Sequence, residues 1–292
     1  PPRSTLFPYT TLFRSRIPPK HTQRAAVLVM GLATLFTLAI LVFIILFVLE
    51  KGLPVVSLKF LFTNPQDMGK SGGILPTLVG TILLTLVAVA IATPLGVGTA
   101  IYLTEYTRES RITRIIRFGA DCLAGIPSII FGLFGFIFFV TILKMGWSIM
   151  SGGLTLAFMI LPTIIRTAEE AIKAVPNSYR EVSFSLGATR WETVQKVVLP
   201  SALPGIVTGI MLGVGRSIGE TAAVIFTAGS SLRMPASLMD SARTMSVHFY
   251  ILAREGISTE NAYGTAAILV ITILFINLTA YSLMNRFVAK NN

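Results

Sequence analysis

The chain has 292 residues, 53% of them hydrophobic and 13% charged, with a formal net charge of +11. Soluble domains carry about 25% charged residues, so a fold solvated by water on all sides is excluded and lipid must cover much of the surface. The basic excess then belongs on cytoplasmic loops rather than on a nucleic-acid interface, and a single cysteine, Cys122, rules out an internal disulfide.

In chain order, Thr5–Ser15 reads TLFPYTTLFRS and matches the conceptual translation of a sequencing-library adapter. Residues 1–15 are therefore read as an artefact and set aside, leaving a short basic tail over 16–24. A bilayer core about 30 Å thick needs roughly 20 apolar residues of helix. Six runs meet that length. The first, Ala25–Leu49, exceeds the roughly 7–15-residue core of a cleaved signal and stays in the membrane. Ser71–Thr104 is the second. Cys122–Leu143 and Met145–Ile165 are the third and fourth, separated by Lys144, with breaks expected at Gly146, Gly152 and Gly153. Pro127 is expected to kink the third, with Asp121 near its amino-terminal start; Phe131–Phe139 reads as a packing or lipid-facing stripe. The fifth runs from Val197 to about Gly229, interrupted by Arg216 and Glu220, and the sixth is Asn261–Asn285. No stretch alternates like a membrane barrel strand. The expected class is an all-α integral membrane protein with six transmembrane helices.

Lysine and arginine in the connections set direction. Fourteen lie in the tail from Arg16, the Glu105–Arg117 loop, Arg166–Lys196 and the carboxyl-terminal tail. Seven lie in Glu50–Lys70, at Lys144 and in Leu232–Glu260. The excess puts both termini in the cytoplasm. His248, Arg243 and Arg254 then fall in an outer loop, where a lone histidine is read as surface.

Two constellations stand out. The first is Glu181–Pro200, EVSFSLGATRWETVQKVVLP, a charged segment between apolar spans. Pro176 followed by Asn177 and Ser178 starts a short helix, Gly187 ends it in a left-handed conformation, and Trp191 with Val194 offers an apolar face on a second turn. The second is Arg216 and Glu220, four residues apart and so expected on one helical face, with Ser217 and Thr221 beside them. Intramembrane charges cost on the order of 3 kcal/mol each and face a cavity or a partner. Either the two neutralise each other, or Arg216 offers its fork to a tetrahedral oxyanion while Glu220 tunes it. Gly205, Gly209, Gly213, Gly215 and Gly219 let neighbouring helices approach closely. A phosphate-gripping loop is missing: Gly69-Lys70-Ser71 has Asn64 where the first glycine is required. No catalytic residue, metal ligand or cofactor is expected in this chain.

The spacing of Glu181, then Leu186-Gly187-Ala188, then Leu199-Pro200 resembles the EAA loop of binding-protein-dependent ABC importer permeases, with Val182 and Ser183 where two small residues are usual. The strings AGIPSIIFGLFG (124–135) and GRSIGETAAVIFTAG (215–229) are similar to permeases of the phosphate-specific (Pst) importers, the A-type subunit more than the C-type. The resemblance implies a type I importer permease fold, with an ABC transmembrane domain over 71–287 and a coupling segment over 177–200. It assigns ATPase coupling to Glu181, Leu186, Gly187, Ala188, Trp191, Leu199 and Pro200. It also implies a multi-pass protein of the bacterial inner membrane with a second permease, two ATP-binding subunits and an extracytoplasmic phosphate-binding protein as partners. Sulfate or molybdate in place of phosphate, a non-transporting scaffold or sensor, and a secondary transporter are the alternatives.

Overall fold

The computed structural model describes residues 19–291; the adapter-like stretch 1–15 lies outside them. The chain divides into two units, the first ending at Val48 and the second beginning at Leu49. The first holds most of α1 (Pro19–Gly52). That helix is apolar on every side, as a segment solvated by lipid must be.

In the second unit, α2 (Leu58–Phe62) is capped by the Ser57 side chain, which accepts from the Phe60 amide. A two-residue hairpin of β1 (Pro65–Gln66) and β2 (Ser71–Gly72) leads to α3 (Leu75–Ile101). A π-helical turn, Tyr102–Tyr106, extends α3 without a break. There follow α4 (Arg111–Ala124), α5 (Ser128–Gly135) with a π-helical extension over Phe136–Ile142, and α6 (Ile149–Lys173). The remainder is α7 (Asn177–Ser185), α8 (Arg190–Thr193), α9 (Leu199–Gly219), α10 (Ala222–Thr227), α11 (Met245–Arg254) and α12 (Thr259–Asn291). Among the described residues five helical stretches are long and apolar enough to cross a membrane, and the α4–α5 pair makes a sixth if its two arms count as one.

The third span differs from the sequence reading. Its two arms meet at 102°, because Pro127 has no amide to donate and pushes the preceding residue out of helical conformation. Helix α4 ends at Ala124, and the chain restarts at Ser128. Asp121 therefore lies in the last turn of α4, not at a helix start, and it ion-pairs with Arg166 of α6. A second link comes from Glu169 of α6, which is buried and accepts from Arg117 Nε at 2.8 Å and Lys173 Nζ at 2.6 Å. The fourth span also differs. α6 runs unbroken through Gly152 and Gly153, which serve close packing instead: a Cβ there would run into Ala228 and Val87. The phenylalanine stripe is mixed, with Phe131 and Phe139 buried and Phe134 and Phe138 exposed.

α6 lies between α3 and α9. The main core gathers Leu84, Ala88 and Ala92 of α3, Leu156, Met159, Ile160 and Ile164 of α6, Ala223 and Val224 of α10, and Val247 of α11. A second core, with Ala100, Ala168, Ile172, Val198, Ala202 and Ile206, joins α3, α6 and α9 next to the coupling segment.

Candidate functional site

The polar segment folds as two short helices set by local rules. α7 starts directly after Pro176, whose fixed φ suits a helix entry. It ends where Gly187 takes φ +83°, a left-handed conformation that a Cβ disfavours. No neighbour lies close enough to Gly187 to meet an added Cβ, so the backbone angle alone selects glycine. α8 opens with a capping box: Thr189 Oγ1 accepts from the Glu192 amide, and Glu192 accepts from the Thr189 amide at 2.9 Å. The two helices are joined by Ser183 and Thr193, whose buried hydroxyls stand 2.8 Å apart.

Large apolar side chains stand exposed on this unit among its charged ones. Leu186 is 83% exposed, and Val182, Trp191, Tyr179 and Phe184 are exposed around it. Glu181 is exposed and makes no ion pair among the described residues. Ala188 is half-buried, as is Leu199 at the start of α9, while Pro200 is exposed in its first turn. Val194 is the exception to the sequence reading. It is fully buried and packs inward, so Trp191 stands on the outer face without it. Contiguous exposed apolar side chains of this kind mark an interaction surface, for a protein or for lipid.

The second constellation is rearranged more deeply. α9 runs through Arg216 and ends at Gly219; Glu220 is extended at φ −73°, ψ 131°. Arg216 and Glu220 therefore do not share a helical face and do not form an ion pair. The Glu220 carboxylate turns the other way and accepts from the Ala223 amide at 3.2 Å, at the start of α10. Its carbonyl accepts from Ser246 Oγ at 2.7 Å. Thr221 is half-buried at the entry to α10. Arg216 is exposed, with no hydrogen-bond or carboxylate partner among the described residues. Ser217 is buried, and its hydroxyl has no hydrogen-bond partner among the described residues.

Sequence reasoning also missed charged groups that the fold brings inside. His248 is buried on α11, with Nδ1 3.4 Å from Arg243 Nη1, and Arg243 donates from Nε to the Ser230 carbonyl at 2.9 Å. Burial first, then the neighbouring guanidinium, pushes the imidazole pKa down to about 4. The signal for Glu169 was present, as Arg166, Glu169 and Lys173 recur at helical spacing at the end of an apolar run. Among the described residues no group of three or more His, Cys, Asp or Glu side chains could hold a metal ion.

A helical bundle with a sharply bent third span and an exposed pair of short helices between later spans defines a class, and the family comparison agrees. Residues 92–291 match the model for "Binding-protein-dependent transport system inner membrane component", and the chain belongs to that family. It is accordingly a multi-pass protein of the bacterial inner membrane and an ABC importer permease. Among curated relatives it is similar to "Probable ABC transporter permease protein YqgI" of Bacillus subtilis (strain 168), 34% identical over 89% of this chain and 94% of that protein. It is also similar to "Phosphate transport system permease protein PstA" of Pasteurella multocida (strain Pm70), at 33% over 85% and 89%, and of Yersinia pestis, at 35% over 87% of each chain. Of solved structures, a bacterial alginate ABC transporter superposes with a TM-score of 0.66 at 15% identity, covering 93% of this chain and 98% of that one. The MetNI methionine ABC transporter gives 0.60 at 20% identity, covering 72% and 93%. The fold is that of type I ABC importer permeases.

Proposed function

We propose that this chain is the A-type transmembrane subunit of an ATP-driven importer that moves inorganic phosphate inward. It works with a second related permease, two ATP-hydrolysing subunits and an extracytoplasmic phosphate-binding protein. The observation that carries the substrate class is Arg216: a guanidinium in the last turn of a spanning helix with no carboxylate partner among the described residues. Placing such a charge in a bilayer is costly unless something anionic meets it, and a planar fork suits a tetrahedral oxyanion. The PstA relatives support phosphate as that anion. Both termini lie in the cytoplasm, and the exposed Leu186–Trp191 surface docks on an ATPase subunit. Closing of the ATPase pair pushes on 177–200 and switches access past the α9–α10 break.

The test is uptake of labelled phosphate by cells whose only importer contains this chain, with sulfate and molybdate as competitors. Uptake that resists both competitors supports the reading. Uptake of sulfate or molybdate in preference to phosphate sinks the substrate. If Arg216→Ala assembles normally and leaves uptake unchanged, Arg216 is structural and a scaffold role gains.

A further inference from the structure

The geometry points to the Glu105–Arg180 ion pair as a strut that carries movement of the docking segment onto α3. This rests on the reading of 177–200 as the ATPase dock. α7 follows α6 through only Ala174–Pro176, so any displacement of α7 reaches α6 along the backbone. α3 has no such covalent link; 75 residues separate the two members of the pair.

The ionic link from α7 to the end of α3 is made by the Arg180 side chain. Arg180 Nε donates to Glu105 Oε1 at 3.1 Å and Oε2 at 3.3 Å, and Nη2 donates to Oε1 at 2.7 Å. The remaining donors reach the Ile172 carbonyl at 3.0 Å, the Val175 carbonyl at 2.7 Å and Asn177 Oδ1 at 3.3 Å. Every guanidinium N–H group is thus engaged, and one planar group joins the end of α6, the start of α7 and the tip of α3. Arg180 and Glu105 expose only 15% and 10% of their side chains. A fork-to-fork contact with so little solvent resists shear better than the flexible surface pairs of this chain.

A second contact ends on the same turn. The Arg190 guanidinium of α8 sits 5.9 Å from the centre of the Tyr106 ring. Both short helices therefore grip Tyr102–Tyr106, and the Ser183–Thr193 contact makes them move together. That turn continues α3, which packs along α6. A push on the dock is delivered to two neighbouring core helices at once, which is what a change of access between them requires.

The experiment is reconstitution of the full complex in liposomes with the binding protein outside. It reads ATPase retention, basal and binding-protein-stimulated hydrolysis, and phosphate moved per ATP. Glu105→Gln removes the charge while keeping the shape; the expected result is retained ATPase, unchanged basal hydrolysis and about tenfold less phosphate per ATP. Glu105→Asp, which keeps the charge, is expected to stay within about threefold of the unaltered complex. A purely stabilising pair would lower uptake and hydrolysis in proportion and leave their ratio unchanged; that result overturns the proposal. Should Glu105→Gln not assemble, Tyr106→Leu removes the partly exposed ring beneath Arg190 and must lower the ratio about twofold or more; an unchanged ratio there overturns it equally. An unaltered complex that moves no phosphate counts against the substrate reading alone. The strut is then read from stimulated hydrolysis: lost in Glu105→Gln it stands, retained it falls.

Discussion

The coupling segment and the α9–α10 break are built on opposite plans. The turn and caps within residues 177–200 are set by contacts within a dozen residues: the Thr189–Glu192 capping box, Gly187 at φ +83°, and the Ser183–Thr193 hydroxyl pair. The segment's long-range contacts, Arg180 to Glu105 and Arg190 to Tyr106, anchor the finished unit to α3. Around Glu220 the contacts come from a distance, as when Ser246, 26 residues on, donates to its carbonyl. Local capping and turn chemistry can be read from adjacent letters. A helix end decided by a partner elsewhere cannot. The contrast separates a rigid handle, which keeps its shape for a partner to push, from a break whose form depends on the helices around it.

The comparison is broken most forcefully at Gly187. Gly187→Pro locks φ near −65°, which the left-handed turn cannot accept. The permease is expected to reach the membrane at normal abundance while ATPase recovery in a pull-down falls at least about tenfold; full recovery would remove the handle. Next is Arg216→Ala, expected to leave the complex assembled and lower phosphate uptake by about tenfold or more, as loss of a charge-assisted anion contact should. Labelled uptake in membrane vesicles measures it.

A smaller effect tests the buried pair between α10 and α12. The His248 pKa is about 4 in the folded chain against 6.5 when exposed. Between those values the unfolded chain takes up a proton that the folded one refuses, so stability falls as pH drops through that window. The thermal midpoint in detergent is expected to decrease between pH 7 and pH 4.5, and to decrease less in His248→Gln. An identical slope would remove His248 as the cause. The smallest effect is the most diagnostic for the break. Because Arg216 and Glu220 do not touch, Arg216→Ala and Glu220→Gln should combine additively in uptake, with a coupling energy within about 0.5 kcal/mol of zero. A larger coupling would restore the mutual pair that helical spacing had suggested.

How much was legible follows the same line. Six apolar runs can be found because lipid demands long uninterrupted stretches. The bend at Pro127 was visible in kind, but its size moved Asp121 from a helix start to a helix end. Gly152 and Gly153 look like breaks in isolation and are contact points once α10 and α3 lie against them. Trp191 and Val194 look alike on one short helix, and only packing turned Val194 inward. His248 looks like a loop residue until Arg243 and the neighbouring backbone close around it.

By itself the sequence determined the solvent of this protein, the number of its candidate spans, the handle between them and the family to which it belongs. The first three rest on composition or on chemistry between near neighbours, and the family on the resemblance of Glu181–Pro200 and of the strings at 124–135 and 215–229 to known permeases. The tertiary structure alone decided that Arg216 stands without Glu220, that Glu169 is shared by Arg117 and Lys173, and that Glu105 and Arg180 meet across 75 residues. Side-chain charges pair by proximity in space, and only the packed bundle sets that distance.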